Sequence, residues 1–481
     1  MPAAPAATGR SGRVIAVSVV AALGGFLFGF DSSVINAAVP GIQSTFGTNP
    51  AETGFVVSVA LLGCALGAWY AGRIANLLGR PRTMQVAAVI FIVSAIGSAF
   101  PGNVYGLMGW RFVGGLAIGG ASVLAPAYIA EIAPPALRGR LGSLQQLAIV
   151  IGIFLALLSG YAIATAAGSA SNEWLLGVQA WQWMFLVEVL PAIVYLLAAR
   201  TIPESPRYLV ATGRVDEARG VMASMHQELT DEQVAVMREQ LAGEDRQRVR
   251  DLRGPRFGLM PVVWVGIILS VLQQFVGINV IFYYSSVLWQ AVGFDESNSL
   301  LISVITGATN IVATLIAIAL IDRFGRRPLL LVGSIGMSVS LVSLAYLFGT
   351  APVVEVAATS TCAAPCMQPS LTGTNADIAL VAANLFVVFF GFSWGPVVWV
   401  LLGEMFPNRI RAIALSVAAA AQWAANFVVS TTFPALAATS LGLAYGIYAF
   451  FAIVSVFFVL RAVKETKGRT LEAMEAQYAT T

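Results

Sequence analysis

Three ionisable residues lie inside otherwise apolar runs: Asp31, Arg111 and Glu188. Charges within hydrocarbon are costly and mark function by default. Asp31 lies about five residues from one end of its run, and Arg111 about six from the start of its own. At about 1.5 Å per residue both sit about 8–9 Å below one membrane surface, a shared depth that permits an ion pair. Glu188, roughly eight or nine residues in, lies somewhat deeper. Arg111 stays charged and favours an ionised Asp31, whereas loss of water favours a protonated one. The balance turns on whether the site is wet or dry, which suits a proton taken up on one side and released on the other. A static structural pair is the plainer alternative. The apolar runs also carry amides: Gln146, Gln273, Gln274, Asn279, Asn310, Gln422 and Asn426, with aromatic area from Trp399 and Trp423. Amides both donate and accept hydrogen bonds without a buried charge, which suits a neutral polyhydroxylated ligand. Gln273 and Gln274 are adjacent and point different ways, while Gln274 and Asn279 can share one broad face. Taken singly, each amide is also explained as glue between helices.

The elements that position these residues must cross a bilayer. The chain has 481 residues, 58% hydrophobic and 11% charged, with a mean hydropathy of +0.81. A soluble domain carries about 25% charged residues, so a soluble enzyme, a nucleic-acid binder and a disordered chain are excluded. A membrane barrel is excluded as well, because its strands alternate apolar and polar residues and these runs are continuous. Stretches long enough to span fall at 14–36, 54–75, 83–100, 105–130, 141–164 and 180–201, then at 260–289, 299–321, 329–349, 377–404, 412–436 and 441–461. This pattern predicts an all-α polytopic membrane protein with 12 transmembrane helices in two six-helix halves. The expected domains are a bundle over 1–201, a cytoplasmic helical linker over 202–258, a second bundle over 259–461 and a tail over 462–481. The linker holds 19 of the chain's 51 Asp, Glu, Lys and Arg residues and reads as short amphipathic helices that can pack against both halves. The polar N-terminus leads into the first run without a cleavage site, so that run is read as a retained helix and not a signal peptide.

The basic residues fix an orientation. Of 27 Lys and Arg residues, only Arg111 falls outside the inner segments when both termini are placed in the cytoplasm. Loop 350–376 then lies outside, where Cys362 and Cys366 meet an oxidising environment; their spacing leaves their pairing open. Cys64 reads as packing. With one histidine, His226, no structural-zinc spacing exists.

Inner motifs recur between the halves. Gly79-Arg80-Pro81-Arg82 follows the second run, and Asp322-Arg323-Phe324-Gly325-Arg326-Arg327 the eighth. Glu131 precedes Arg138 by seven residues, and Glu404 precedes Arg411 by seven. Pro203-Glu204-Ser205-Pro206-Arg207 follows the sixth run, and Lys464 to Gly468 the twelfth. A duplicated unit around a central site is the plan of alternating-access carriers. Glycine turns, a helix-end Asp and Glu/Arg pairs predict a charge network that holds the inner gate shut; anchoring in the headgroup region is the simpler alternative. Gly395 and Pro396, after Trp394, weaken the tenth span and predict a flexible part of the inner gate.

Several motifs together resemble the sugar porter family of the major facilitator superfamily, from about Gly24 to Glu472. They are FGFD at 28–31, RFVGG at 111–115, YIAEIAPPALRGR at 128–140, PESPR at 203–207, QQFVGIN at 273–279, DRFGRR at 322–327 and GPVVWVLLGEMFPNRIR at 395–411. The likeness is greatest to bacterial proton-coupled hexose or pentose symporters. It implies sugar contacts at Gln146, Gln273, Gln274, Asn279, Asn310, Trp399 and Gln422, and pocket walls at Phe28 and Trp423. It implies an outer gate at Tyr283 and Tyr284, on a broken seventh span. Proton-coupled members resemble this chain in carrying an acid at Asp31, where facilitative carriers are neutral; Glu188 likewise matches an acid of the bacterial symporters. Two departures predict weaker clamps: Asn76 stands where the family has Asp, with Pro81 interrupting the basic run, and Lys464 stands where the family has Pro. Gly391, beside Phe390, is expected to leave room near the pocket.

The expected function is a proton-coupled symporter importing a monosaccharide, most nearly D-glucose, by alternating access. The alternatives are a facilitative sugar uniporter, or a symporter for xylose, galactose or a polyol. A sugar sensor is opposed by the 20-residue tail after Arg461, and a drug–proton antiporter by the amide-rich motifs. No enzymatic activity, cofactor or metal is expected. The expected partners are the monosaccharide, a proton and the lipid bilayer, with no nucleic acid, in a monomer of the plasma or inner membrane.

Overall fold

The computed structural model describes residues 12–134, 137–225, 227–244, 249–254, 258–356, 366–407 and 410–467. The first half comprises α1 (Gly12–Phe46), α2 (Pro50–Leu78), α3 (Arg80–Ala99), α4 (Val104–Ile132), α5 (Arg138–Ala167), α6 (Ala180–Val187) and α7 (Val189–Ala198). Then come α8 (Pro206–Ala211), α9 (Val215–Ser224) and α10 (Asp231–Glu244). The second half comprises α11 (Pro261–Phe275), α12 (Ile278–Gln290), α13 (Glu296–Phe324), α14 (Arg326–Thr350), α15 (Thr374–Phe389), α16 (Gly395–Met405), α17 (Arg411–Thr439) and α18 (Leu441–Arg461). A short antiparallel pair, β1 (Val353–Val356) and β2 (Cys366–Pro369), lies between α14 and α15. Among the described residues, 12 helical spans are long and apolar enough to cross a membrane. Nine are single helices; α6–α7, α11–α12 and α15–α16 are each one broken span.

Local sequence sets these ends and breaks. Asn49 and Glu52 form a capping box at α2, and Asn103, Asp295 and Ser440 accept the orphan backbone N–H groups of α4, α13 and α18. The seventh span breaks at Gly277, which adopts φ 82°. The tenth passes through a π turn at Phe390–Trp394 before Pro396 opens α16. The first helix runs ten residues beyond the apolar stretch ending at 36. Asn36 ends the apolar pattern but not the helix, because its polar groups are bonded inside the protein.

Small residues let helices approach closely. Gly63 and Gly67 of α2 lie against backbone carbonyls of α4, while Gly115 and Gly119 of α4 lie against those of α2. Gly29 and Gly152 do the same between α1 and α5. The two halves meet along α1 with α12, α2 with α17 and α5 with α13. Asn36 donates to the Phe282 carbonyl at 3.0 Å, and the Ser286 hydroxyl donates to the Asn36 carbonyl at 2.5 Å. Thr431 bonds Ser58 at 2.7 Å. Glu296 accepts from the Ser169 hydroxyl and the Ala170 N–H, both at 2.8 Å. All these bonds lie toward one end of the bundle, the far face; the arginine-rich loops lie at the other, the basic face.

On the basic face, Leu209, Val210, Ala218, Leu229 and Val234 give α8–α10 a small core of their own. Gln227 donates to the Ile132 carbonyl of α4 at 3.0 Å, and the turn at Val249–Leu252 touches α17. Cys64 is a buried free thiol. Cys362 and His226, and the side chain of Cys366, fall outside the described residues.

Candidate functional site

The ion pair expected from depth is present: Arg111 of α4 bonds the Asp31 carboxylate and also the Asp31 carbonyl, the latter at 3.2 Å. Both side chains are 3% exposed, so water screens them little. The second Asp31 oxygen sits where Gly114 lacks a side chain, 2.9 Å from the position a Cβ would take. Glu188 forms the joint between α6 and α7; it is buried, and its Oε1 has no partner among the described residues. It lies within electrostatic range of both Asp31 and Arg111. Phe28, Ser32, Cys64, Arg111, Ile118 and Tyr283 line a small cavity beside the pair.

The amides gather where spans break. Gln273 donates to the carbonyls of Trp394 (2.7 Å) and Gly395 (3.3 Å), tying the broken seventh span to the broken tenth. Gln274 accepts from Asn279 at 2.6 Å and donates to Gln273 at 3.4 Å. The adjacent pair is thus joined side chain to side chain rather than turned apart, and the 274/279 pair shares a face as its spacing allows. Asn310 is buried on α13. The room expected at Gly391 is filled: a Cβ there would lie 2.8 Å from Ala313 and 3.0 Å from Asn310 Oδ1. Gln422 buries an unpartnered Oε1, and Phe28 meets Trp423 across the halves at 5.8 Å between ring centroids. Gln146 is half-buried on α5. Its neighbour Gln145, not selected from sequence, is buried with its amide against Gly25. Trp399 is 42% exposed rather than packed on the amides. Trp394 is buried and donates to Ser334 at 2.9 Å.

Tyr283 lines the cavity beside Arg111, but Tyr284 is buried within the second half, donating to the Ser430 carbonyl at 2.8 Å and packing on Phe433. The cross-half bonds fall to Phe282 and Ser286 instead, because α12 turns those residues toward Asn36. Among the described residues, the two arginine–glutamate clamps of the basic face each lie within one half. Arg80 grips both oxygens of Glu131 at 3.0 and 3.1 Å, and Arg326 grips both of Glu404 at 2.8 and 3.0 Å. Each clamp closes within its own half. Arg411, expected to serve Glu404, donates to the Phe406 carbonyl at 3.3 Å, since Glu404 is turned toward the start of α14. Asn76 accepts from Arg80 at 3.2 Å and Pro81 occupies the first turn of α3, so the first clamp keeps the two-pronged geometry of the second. The side chains of Arg138 and Asp322 fall outside the described residues, and Arg207 is half-buried on α8.

A second acid completes each clamp. Gly79 and Gly325 hold matching turns, φ 88° and 90°, a region closed to most side chains. Glu204 accepts from the Arg80 N–H at 2.9 Å. Glu465 accepts from the N–H groups of Arg326 and Arg327 at 3.0 and 2.9 Å. Glu465 was not selected from sequence, although the recurrence of 203–207 at 464–468 aligns it with Glu204. Burial pushes the Glu204 carboxyl above the usual range, against N–H bonds from Ser205 and Arg80 and the Arg80 charge. Burial pushes Glu465 the same way, but the N–H groups of Arg326, Lys467, Arg327 and Thr466 together hold it below that range.

Twelve spans in two halves, with an amide cluster at the breaks of the seventh and tenth spans in one half and a buried ion pair in the other, define a carrier of the major facilitator type. The family model for sugar (and other) transporters matches residues 17–478, and the chain belongs to that family. A glucose transport protein of Synechocystis sp. is 56% identical over 463 residues, covering 96% of this chain and 97% of that one. A D-xylose-proton symporter of Escherichia coli (strain K12) is 36% identical over 501 residues, covering 97% and 96%. Among solved structures, the partially occluded inward open conformation of the xylose transporter XylE from E. coli superposes with a TM-score of 0.80 at 35% identity, covering 95% of this chain and 99% of that one. Its inward open conformation gives 0.79.

Proposed function

We propose that this chain imports a monosaccharide together with a proton by alternating access, with D-glucose the leading substrate. The observation that carries the proton part is the buried Asp31–Arg111 pair with Glu188 beside it, whose Oε1 has no partner among the described residues. Similarity to a glucose transport protein and to D-xylose-proton symporters supports the sugar. Gln146, Gln273, Gln274, Asn279, Asn310 and Gln422 supply donors and acceptors for hydroxyls. Phe28 and Trp423 wall the pocket, and Trp399 meets the sugar when the halves close on it. Protonation of Asp31 releases Arg111; deprotonation restores the pair. A proton moving inward gains about 2.3 kcal/mol per 100 mV, enough to drive uptake against a gradient. The basic face is cytoplasmic by the positive-inside rule, which places both termini inside, the linker 202–258 between bundles 1–201 and 259–461, and the tail 462–481 inside. The hydrogen bonds that join the halves on the far face support an inward-facing arrangement, and the carrier is read as a monomer of the inner membrane.

The test is external pH in a weakly buffered, de-energised suspension of cells lacking other glucose uptake. D-glucose, and not L-glucose, should give prompt alkalinisation. Uptake that is insensitive to an uncoupler, with no pH change for any monosaccharide, would establish a uniporter instead. Asp31→Asn should abolish uphill accumulation and retain sugar exchange; accumulation at the wild-type level would remove Asp31 as the coupling acid.

A further inference from the structure

Three helices of the first half share a register that extends the proton site toward the basic face. Asp31 and Gly114 meet at one level, where Ser94 Oγ and an Asp31 oxygen lie 2.5 and 2.9 Å from the position a Gly114 Cβ would take, and Glu188 lies within electrostatic range of Asp31. Seven residues on in each helix, toward the basic face, come Gly24, Ala121 and Tyr195. These also meet: a Cβ on Gly24 would lie 2.9 Å from the Tyr195 hydroxyl and 3.2 Å from the Ala121 methyl. Seven residues are two helical turns, about 10.5 Å. The lower level is therefore stacked under the upper one on the same faces of α1, α4 and α7. Tyr195 is fully buried, and its hydroxyl has no hydrogen-bond partner among the described residues. An unmade hydrogen bond of this kind is destabilising, and a phenylalanine would fill the same space without it.

We infer that the Tyr195 hydroxyl relays the proton between the Asp31–Glu188 site and the basic face. Side chains lean toward the N-terminus of their helix, so Tyr195 leans back toward Glu188, and about one or two transient waters close the remaining gap. The hydroxyl oxygen takes a proton arriving from the Glu188 side and gives up its own on the basic side. One O–H bond forms as another breaks, and the phenol ends neutral. Tyr195 stands three residues before the end of α7, so this one station covers most of the distance to the basic face. The inference rests on the proton-symport reading above.

Tyr195→Phe removes the oxygen and keeps the ring; Gly24→Ala places a methyl where the hydroxyl now sits. Each should keep D-glucose counterflow, which moves no net proton, within about twofold, and slow D-glucose-induced alkalinisation about tenfold, in the range of a lost proton-transfer group. Alkalinisation at the wild-type rate in Tyr195→Phe would overturn the relay, as would equal loss of counterflow and alkalinisation in both variants. If wild-type protein alkalinises with neither D-glucose nor D-xylose, the symport reading fails and the relay with it; wild-type alkalinisation unaffected by Tyr195→Phe defeats the relay alone.

Discussion

The two basic-face clamps are built from matching parts and carry different charge environments. In each, a glycine with positive φ turns one span into the next, an arginine grips a glutamate, and a second glutamate caps the new helix. In the first half Glu131 is 10% exposed, whereas in the second Glu404 is 35% exposed. Glu204 is held above the usual carboxylate range by burial; Glu465 is held below it by a ring of backbone N–H groups. Duplication thus preserved the fastening while letting its electrostatics drift. The first clamp leans on its buried arginine pair, and the second on its capping acid.

Arginine removal should separate the halves most. Arg80→Ala strands Glu131 with little access to water, so thermal unfolding in detergent should reveal a loss of about 3 kcal/mol. Arg326→Ala leaves Glu404 half-hydrated and bonded to Thr466 at 2.5 Å, for about 1–2 kcal/mol. Equal losses would mean that exposure does not govern the clamps. Next come the capping acids at neutral pH. Glu465→Gln should lower stability by about 2 kcal/mol and Glu204→Gln by about 1 kcal/mol or less. Acid should then split the pair in order. A depressed carboxyl contributes stability above its unfolded value and loses it as pH falls through the folded one; a raised carboxyl contributes at low pH and loses that contribution as pH rises. Glu465 stabilisation should therefore be lost as pH falls below the ordinary glutamate value of about 4.3, whereas Glu204 should add stability as pH falls. Melting curves from pH 3.5 to 7 should show the acid-side drop reduced in Glu465→Gln and the gain on acidification reduced in Glu204→Gln; a drop unchanged in Glu465→Gln would assign it to another acid. The smallest effect belongs to Asn76→Asp, which sets a charge beside the Arg80 nitrogen 3.2 Å away and should stabilise by about 0.2–1 kcal/mol.

Much of this arrangement was legible in the chain. Continuous apolar runs gave the spans because hydrocarbon tolerates little else, and equal depth gave the Asp31–Arg111 pair. The Gln274–Asn279 bond followed from spacing along one broken span. What failed required knowing which helices face each other. Glu404 pairs with Arg326 and not with Arg411, seven residues away in its own segment, because a helix-end charge turns to the neighbouring helix. Gly391 looked like open space, yet Asn310 and Ala313 fill it from another span. Asn36 looked like the end of a run, when its partners stand 246 and 250 positions onward.

The far-face seal has an electrical consequence. Its contacts along α1–α12 and α2–α17 join neutral groups, Asn36 with Phe282 and Ser286, and Ser58 with Thr431. Glu296, its charged member, stands at the very start of α13, near the rim of the bundle. Parting such a seal carries almost no charge across the low-dielectric layer, so voltage has little purchase on it. The field acts instead on Asp31, Arg111 and Glu188. Membrane potential should therefore act on the charge state in which this site crosses the cycle, and leave the opening of the far side nearly voltage-blind.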